Sequence, residues 1–103
     1  MDRLTQLRNQ YLELTNRVLP DLASSRKFPV RYNHCFQRII LDNLFDRCWY
    51  EVLERKRIPA YQQLSEEQLE NAIALANLII AQPDSYLEQL NQNSLQWRGH
   101  QNV

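Results

Sequence analysis

Glycine is almost missing from this sequence: Gly99, near the carboxyl end, is the one glycine in 103 residues. Phosphate-cradling loops and dinucleotide-binding turns need several, because those turns demand positive φ and close approach of backbone to ligand. Hairpin-rich β proteins draw on glycine for their tight turns. Both classes are therefore poor fits. Cysteine is scarce too, with only Cys35 and Cys48. On one helix they would stand about 20 Å apart along the axis, too far to bridge. Two unpaired thiols fit a reducing compartment, so the expected setting is cytoplasmic.

Neither sign of charge is in excess, since twelve basic side chains balance twelve acidic ones. A dedicated nucleic-acid binder usually carries a basic surplus, so the overall balance does not favour that class, although it leaves room for a local patch. Long apolar runs are absent. The longest, Ala72 to Ala81, is interrupted by Asn77, and a bilayer needs about twenty such residues. The opening Met1-Asp2-Arg3-Leu4 does not read as an apolar leader. No membrane span is expected.

Helical periodicity is what remains. Leu4, Leu7, Tyr11, Leu14 and Val18 recur at spacings of 3, 4, 3 and 4, one stripe of a helix over about 2–19 that Pro20 should end or kink. A second helix over about 32–56 carries Phe36, Ile39, Ile40, Leu44, Cys48 and Val52 on one side, widened by Leu41, Phe45, Trp49 and Leu53. Such breadth marks a central helix, with Asn33 as a candidate amino-terminal cap and Pro59 as the stop. Ser65-Glu66-Glu67-Gln68 is a capping box, with Leu64 and Leu69 at the spacing of a hydrophobic staple. It opens a third helix, about 66–81. A fourth, about 84–94, begins at Pro83 or at a second box, Ser85 to Glu88, and should fray near Asn91 and Asn93. The sequence thus predicts one all-α domain over 1–98, a compact four-helix bundle or orthogonal array without sheet, followed by a flexible tail over 99–103.

Catalytic constellations are hard to assemble from these residues. His34, Cys35, Cys48 and His100 lack the paired spacing of a zinc site, so no metal and no cofactor are expected. Adjacent His34 and Cys35 point in different directions on a helix and make a poor nucleophile and base. Asp42 and Asp46 share a helix face, but Arg38 one turn earlier turns that face into an exposed ion-pair ladder. No catalytic residue is assigned.

Two features could bind something. Arg26, Lys27, Arg31 and Arg38 form a run of positive charge with no acid between Asp21 and Asp42, interleaved with Phe28, Tyr32 and Phe36 and joined by His34. Guanidinium groups beside aromatic rings suit phosphate contact and base stacking, so Arg26, Lys27, Arg31, Tyr32, His34 and Arg38 are candidate anion- or partner-binding residues. The stripe Leu4, Leu7, Tyr11, Leu14, Val18 resembles a short coiled-coil seam and is a candidate self-association face.

The stretch Arg31-Tyr32-Asn33-His34-Cys35-Phe36-Gln37-Arg38-Ile39-Ile40-Leu41-Asp42-Asn43, with Cys48-Trp49-Tyr50 and the closing Asn91-Gln92-Asn93-Ser94-Leu95-Gln96-Trp97-Arg98-Gly99, resembles a small uncharacterised family of cyanobacterial helical proteins. The resemblance spans most of the chain. It implies a bacterial cytoplasmic setting and brings no activity with it. The expected function is a non-enzymatic helical interaction or adaptor protein that binds a protein partner or a second copy of itself. The alternative is a small nucleic-acid or anionic-ligand binder using 26–38. An enzyme would require His34, Arg38 and Asp42 to converge on one concave pocket.

Overall fold

A computed structural model describes residues 2–99. The fold is all-α: 72% helical, four helical rods, and no strand among the described residues. The first rod is α1 (Arg3–Glu13), a single π turn (Leu14–Val18) and α2 (Leu19–Ala23) run end to end. The others are α3 (Asn33–Phe45), α4 (Glu66–Ala81) and α5 (Asp84–Trp97). Short 3-10 turns at Trp49–Glu51 and Ala60–Gln63 punctuate the long connection between α3 and α4. The rods form a chain of interfaces, α1 on α4, α4 on α3, and α3 on α5.

Two of the starts are fixed by side-chain caps. Asp2 caps α1, its Oδ1 accepting from the Thr5 amide at 2.7 Å. The Ser65 box forms as expected: Ser65 Oγ accepts from the Gln68 amide at 3.1 Å and Gln68 Oε1 from the Ser65 amide at 2.9 Å. Leu64 and Leu69 both lie in the buried core beside it.

Several expected boundaries move. The first rod runs past Pro20 to Ala23 because the π turn before the proline, closed by Leu19 N–H donating to the Leu14 carbonyl, widens the helix where the ring would otherwise strike the preceding turn. The turn is also tied sideways. Buried Thr15 donates to the Tyr11 carbonyl at 3.0 Å and accepts from Gln37 Nε2 on α3 at 3.0 Å. α3 stops at Phe45, eleven residues short of the expected end at Lys56, because Asp46 turns left-handed (φ 56°). Asn33 is the first residue of α3 rather than its cap, and its side-chain Nδ2 donates to Asn16 Oδ1. α5 begins at Asp84, without a Ser85 box, and continues to Trp97. Gly99, at φ 76°, supplies the left-handed turn beyond its end. Asn91 and Asn93 do not fray α5, because both bond to side chains of α3. The remainder of the expected flexible tail lies outside the described residues.

The stripe of the first helix faces inward. Leu7, Tyr11 and Leu14 are buried in the chain's own core, and Leu4 and Val18 pack against it. The stripe read from the sequence as a candidate self-association face thus packs within the chain, against α4 and α3.

Tyr11 is 1% exposed, and its hydroxyl has no hydrogen-bond partner among the described residues. Burial alone pushes its phenol above the usual range. An unmet buried hydroxyl costs about 1–3 kcal/mol. Tyr11→Phe should therefore leave the fold intact and raise its stability by about 1 kcal/mol in urea unfolding. A loss of that size would mean that the hydroxyl has a partner.

Candidate functional site

The basic and aromatic segment does not act as one unit. Arg26 is wholly engaged at the junction of α4 and α5. Its Nε donates to Asp84 Oδ1 at 2.7 Å, Nη1 to the Ile80 carbonyl at 2.8 Å and Nη2 to the Gln82 carbonyl at 2.7 Å, while its guanidinium lies over the Phe28 ring. Two of these bonds satisfy carbonyls at the end of α4, where helices leave acceptors unmet. Arg26 is thus a structural clamp, and its place among the candidate binding residues is corrected on that ground. Lys27 spends its backbone N–H on Asp84 and keeps an exposed side chain. Arg31 is exposed.

The clamp has two measurable consequences. Losing the two charge-assisted carbonyl bonds in Arg26→Ala should cost about 2 kcal/mol at neutral pH. The Arg26 hydrogen bond also holds the Asp84 carboxyl below its usual range. A depressed carboxylate stabilises the fold above its unfolded value, near pH 4, and that share fades as pH falls through the folded value. The gap between wild type and variant should consequently narrow in acid. A constant gap from pH 7 to pH 2 would remove Asp84 from the clamp.

Tyr32, His34 and Arg38 come together elsewhere. The Tyr32 ring, 65% exposed, stacks parallel to His34 with centroids 5.8 Å apart. His34, Gln37 and Arg38 on one side of α3 then face Trp49 and Tyr50 across a pocket of about 250 Å3, with Leu41 and Ala60 completing it. Trp49 and Tyr50 meet edge to face at 4.7 Å.

Arg38 stands half-buried in the wall of this pocket. Nη1 donates to Ser94 Oγ at 2.7 Å and Nη2 to Asn91 Oδ1 at 2.9 Å, so neutral oxygens on α5 fix its fork. No carboxylate forms an ion pair with it among the described residues. Burial, and next the charge of Arg98, push its guanidinium below the usual range, although Cys35, Asp42 and Tyr50 partly offset them. No ion pair among the described residues neutralises the fork, and two of the five N–H donors of an arginine fork are spent here.

Beneath Arg38 lies Asp42, which the sequence placed on an exposed ladder. It is instead fully buried. Its oxygens accept from Arg98 Nε at 2.6 Å, Arg98 Nη2 at 3.1 Å, Ser94 Oγ at 2.6 Å and the Trp49 amide at 2.8 Å. Burial works against the charge on Arg98, but the hydrogen bond to Asp42 and further favourable contacts outweigh it and shift Arg98 upward. Arg38 thus has neutral partners, and Asp42 belongs to an arginine 56 residues away. The bond to the Trp49 amide also folds the chain back after Asp46, which brings Trp49 and Tyr50 to the pocket.

His34 and Arg38 converge on one pocket, but Asp42 does not line it. The acid–base trio that an enzyme would need is not assembled there. A larger groove of about 420 Å3 lies along α5, and its one charged lining residue is Glu88, a poor match for an anion. Among the described residues no three His, Cys, Asp or Glu side chains are placed to hold a metal ion, and no helix is long and apolar enough to cross a membrane. Cys35 and Cys48 are free thiols, one on α3 and one in the connection after it. His100 lies outside the described residues.

Sequence reasoning missed Trp49, Tyr50, Asn91, Ser94 and Arg98. The helix expected over 32–56 takes in both, Trp49 as a core residue and Tyr50 with no role assigned. The signal that could have separated them is Asp46, since Asp tolerates the left-handed conformation that ends a helix. The residues from α5 carry no local signature. No protein family, curated protein or solved structure matches the chain, so the site stands on its own geometry.

Proposed function

We propose that this chain is a non-enzymatic binding domain that takes an anionic group of a macromolecular partner into the pocket formed by His34, Arg38, Trp49 and Tyr50. The observation that carries the reading is Arg38: a half-buried guanidinium, held by two neutral oxygens and facing a pocket, with no carboxylate ion-paired to it. Its position is set before any ligand arrives, which lowers the ordering cost of binding. A planar fork suits carboxylate or phosphate oxygens. The two free thiols support a cytoplasmic setting for such a domain.

The test is titration with inorganic pyrophosphate, followed by NMR at the Arg38 Nε–H and the Trp49 indole N–H. Both signals should shift in wild type. Arg38→Ala should weaken binding at least about tenfold, equivalent to about 1.4 kcal/mol, and Arg38→Lys should recover only part because it lacks the fork. Binding unchanged in a folded Arg38→Ala variant, or no shift in wild type, rejects the reading.

A further inference from the structure

The surroundings of the Arg38 pocket extend the reading from a single anionic group to a chain of them. The balanced net charge conceals an uneven distribution. Residues 27–57 hold seven basic side chains against four acidic ones, and one of those acids, Asp42, is spent on Arg98. Among the described residues, ion pairs engage Arg3, Arg17, Arg26 and Arg98, and none of the seven. Continuous contacts link the exposed members. Tyr32 stacks on His34, His34 lines the pocket, Tyr50 lines its other side, and the Arg55 guanidinium lies over the Tyr50 ring at 3.8 Å. Arg31 precedes Tyr32 at one end, and Lys56 and Arg57 follow Arg55 at the other.

The far end is ordered. Gln63 Oε1 accepts from the Glu54 amide at 2.8 Å, and its Nε2 donates to the Glu54 carbonyl at 2.8 Å and the Ile58 carbonyl at 3.0 Å. One side chain thereby closes the 54–58 loop and presents Arg55, Lys56 and Arg57 to solvent. Along this face run cations without an ion pair, Arg31, Arg38 and Arg55, with the exposed Tyr32 ring between the first two, while the Tyr50 ring is held between the guanidinium groups of Arg55 and Arg98.

We propose that this face binds single-stranded nucleic acid, a base stacking on the exposed Tyr32 ring and the phosphates meeting Arg31, Arg38 and the Arg55 to Arg57 loop that Tyr50 anchors. The inference rests on the anion pocket proposed above and names its ligand. Stacking platforms interleaved with cations are what a flexible single strand uses. A duplex keeps its bases stacked on one another and is read by an element laid in a groove. Here most of the cations sit in two loops flanking a pocket, and Arg38 is the one cationic side chain that α3 contributes to its lining, beside His34, Gln37 and Leu41. An acidic peptide would satisfy the arginines but has no use for the exposed Tyr32 ring.

The experiment uses the full chain with Trp97→Phe, so that Trp49 is the one tryptophan, and labelled mixed-sequence oligonucleotides of about a dozen nucleotides. Single strands should raise anisotropy and quench Trp49 emission. With about three phosphates neutralised, affinity should fall roughly 20-fold between about 50 and 200 mM salt. Tyr32→Ala should weaken binding about fivefold or more. Replacing Arg55, Lys56 and Arg57 with glutamate on the exposed loop should abolish it, with the helical spectrum unchanged. Equal affinity for a duplex of the same length, or full competition by polyglutamate, overturns the proposal. Failure of every oligonucleotide while pyrophosphate still binds in an Arg38-dependent way rejects the strand and leaves the anion pocket. Failure of both rejects both.

Discussion

Asp42→Ala should lower the unfolding free energy by about 3–5 kcal/mol, the usual cost of removing one member of a buried ion pair. The carboxylate is fully buried and receives hydrogen bonds from Arg98, Ser94 and the Trp49 amide. Its removal strands the Arg98 guanidinium, whose side chain is only 11% exposed, and leaves a hydroxyl and a backbone N–H without their acceptor. Asp42→Asn keeps the shape and one carbonyl oxygen, yet turns an NH2 toward groups that are already donors. It should cost nearly as much. The pair as a whole need not stabilise the fold, because desolvating two charges offsets most of their attraction. The double replacement Asp42→Leu with Arg98→Met should therefore recover much of what either single change loses. Urea unfolding with a constant slope measures all three variants. A loss under about 1 kcal/mol for Asp42→Ala would show that the carboxylate is not shielded from water. Amide exchange at Trp49 should also quicken, since the bond that folds the chain back after α3 is gone.

That carboxylate marks where the sequence stopped being readable. Four rods, the Ser65 capping box, the Leu64–Leu69 staple and the apolar stripe of the first helix depend on residues within a few positions of one another, and local pattern exposes them directly, although it does not say what the stripe packs against. The end of α3 does not. Cys48, Trp49, Val52 and Leu53 continue the helical spacing past Phe45, and no glycine or proline intervenes before Pro59. What stops the helix is Asp46 in a left-handed turn, with the Arg47 amide returning to the Asp42 carbonyl at 3.1 Å and the Trp49 amide bonding to the Asp42 side chain. Asp42 can serve there only because Arg98, from the far end of the chain, neutralises it. The same limit applied to the candidate site. Arg26 and Arg38 look alike in sequence, each a cation beside aromatics. Their fates diverge because the α4–α5 junction offers Arg26 the Asp84 carboxylate and two carbonyls, while the far half of α5 offers Arg38 only neutral oxygens. Residue type proposed the site, and the neighbours on other rods selected its members.

Phe36→Ala should destabilise the fold by about 3–5 kcal/mol, in the range for truncating a fully buried aromatic ring. Phe36 is wholly inaccessible to solvent and sits in the main core cluster. Its loss should spread beyond a cavity, because the Phe28 ring meets it edge to face at 5.9 Å and Arg26 lies over the Phe28 ring at 4.7 Å. Through these contacts one core residue holds the connection between α2 and α3 against the bundle, together with the clamp at the α4–α5 junction. Phe28 is only half-buried, so Phe28→Ala should cost less than Phe36→Ala. The two losses should not add. An edge-to-face pair contributes about 0.5–1.5 kcal/mol beyond the area it buries, and the double variant should fall short of the summed single effects by about that amount. Strict additivity would mean that the rings are neighbours without being coupled, and the connection would then depend on the Arg26 clamp alone.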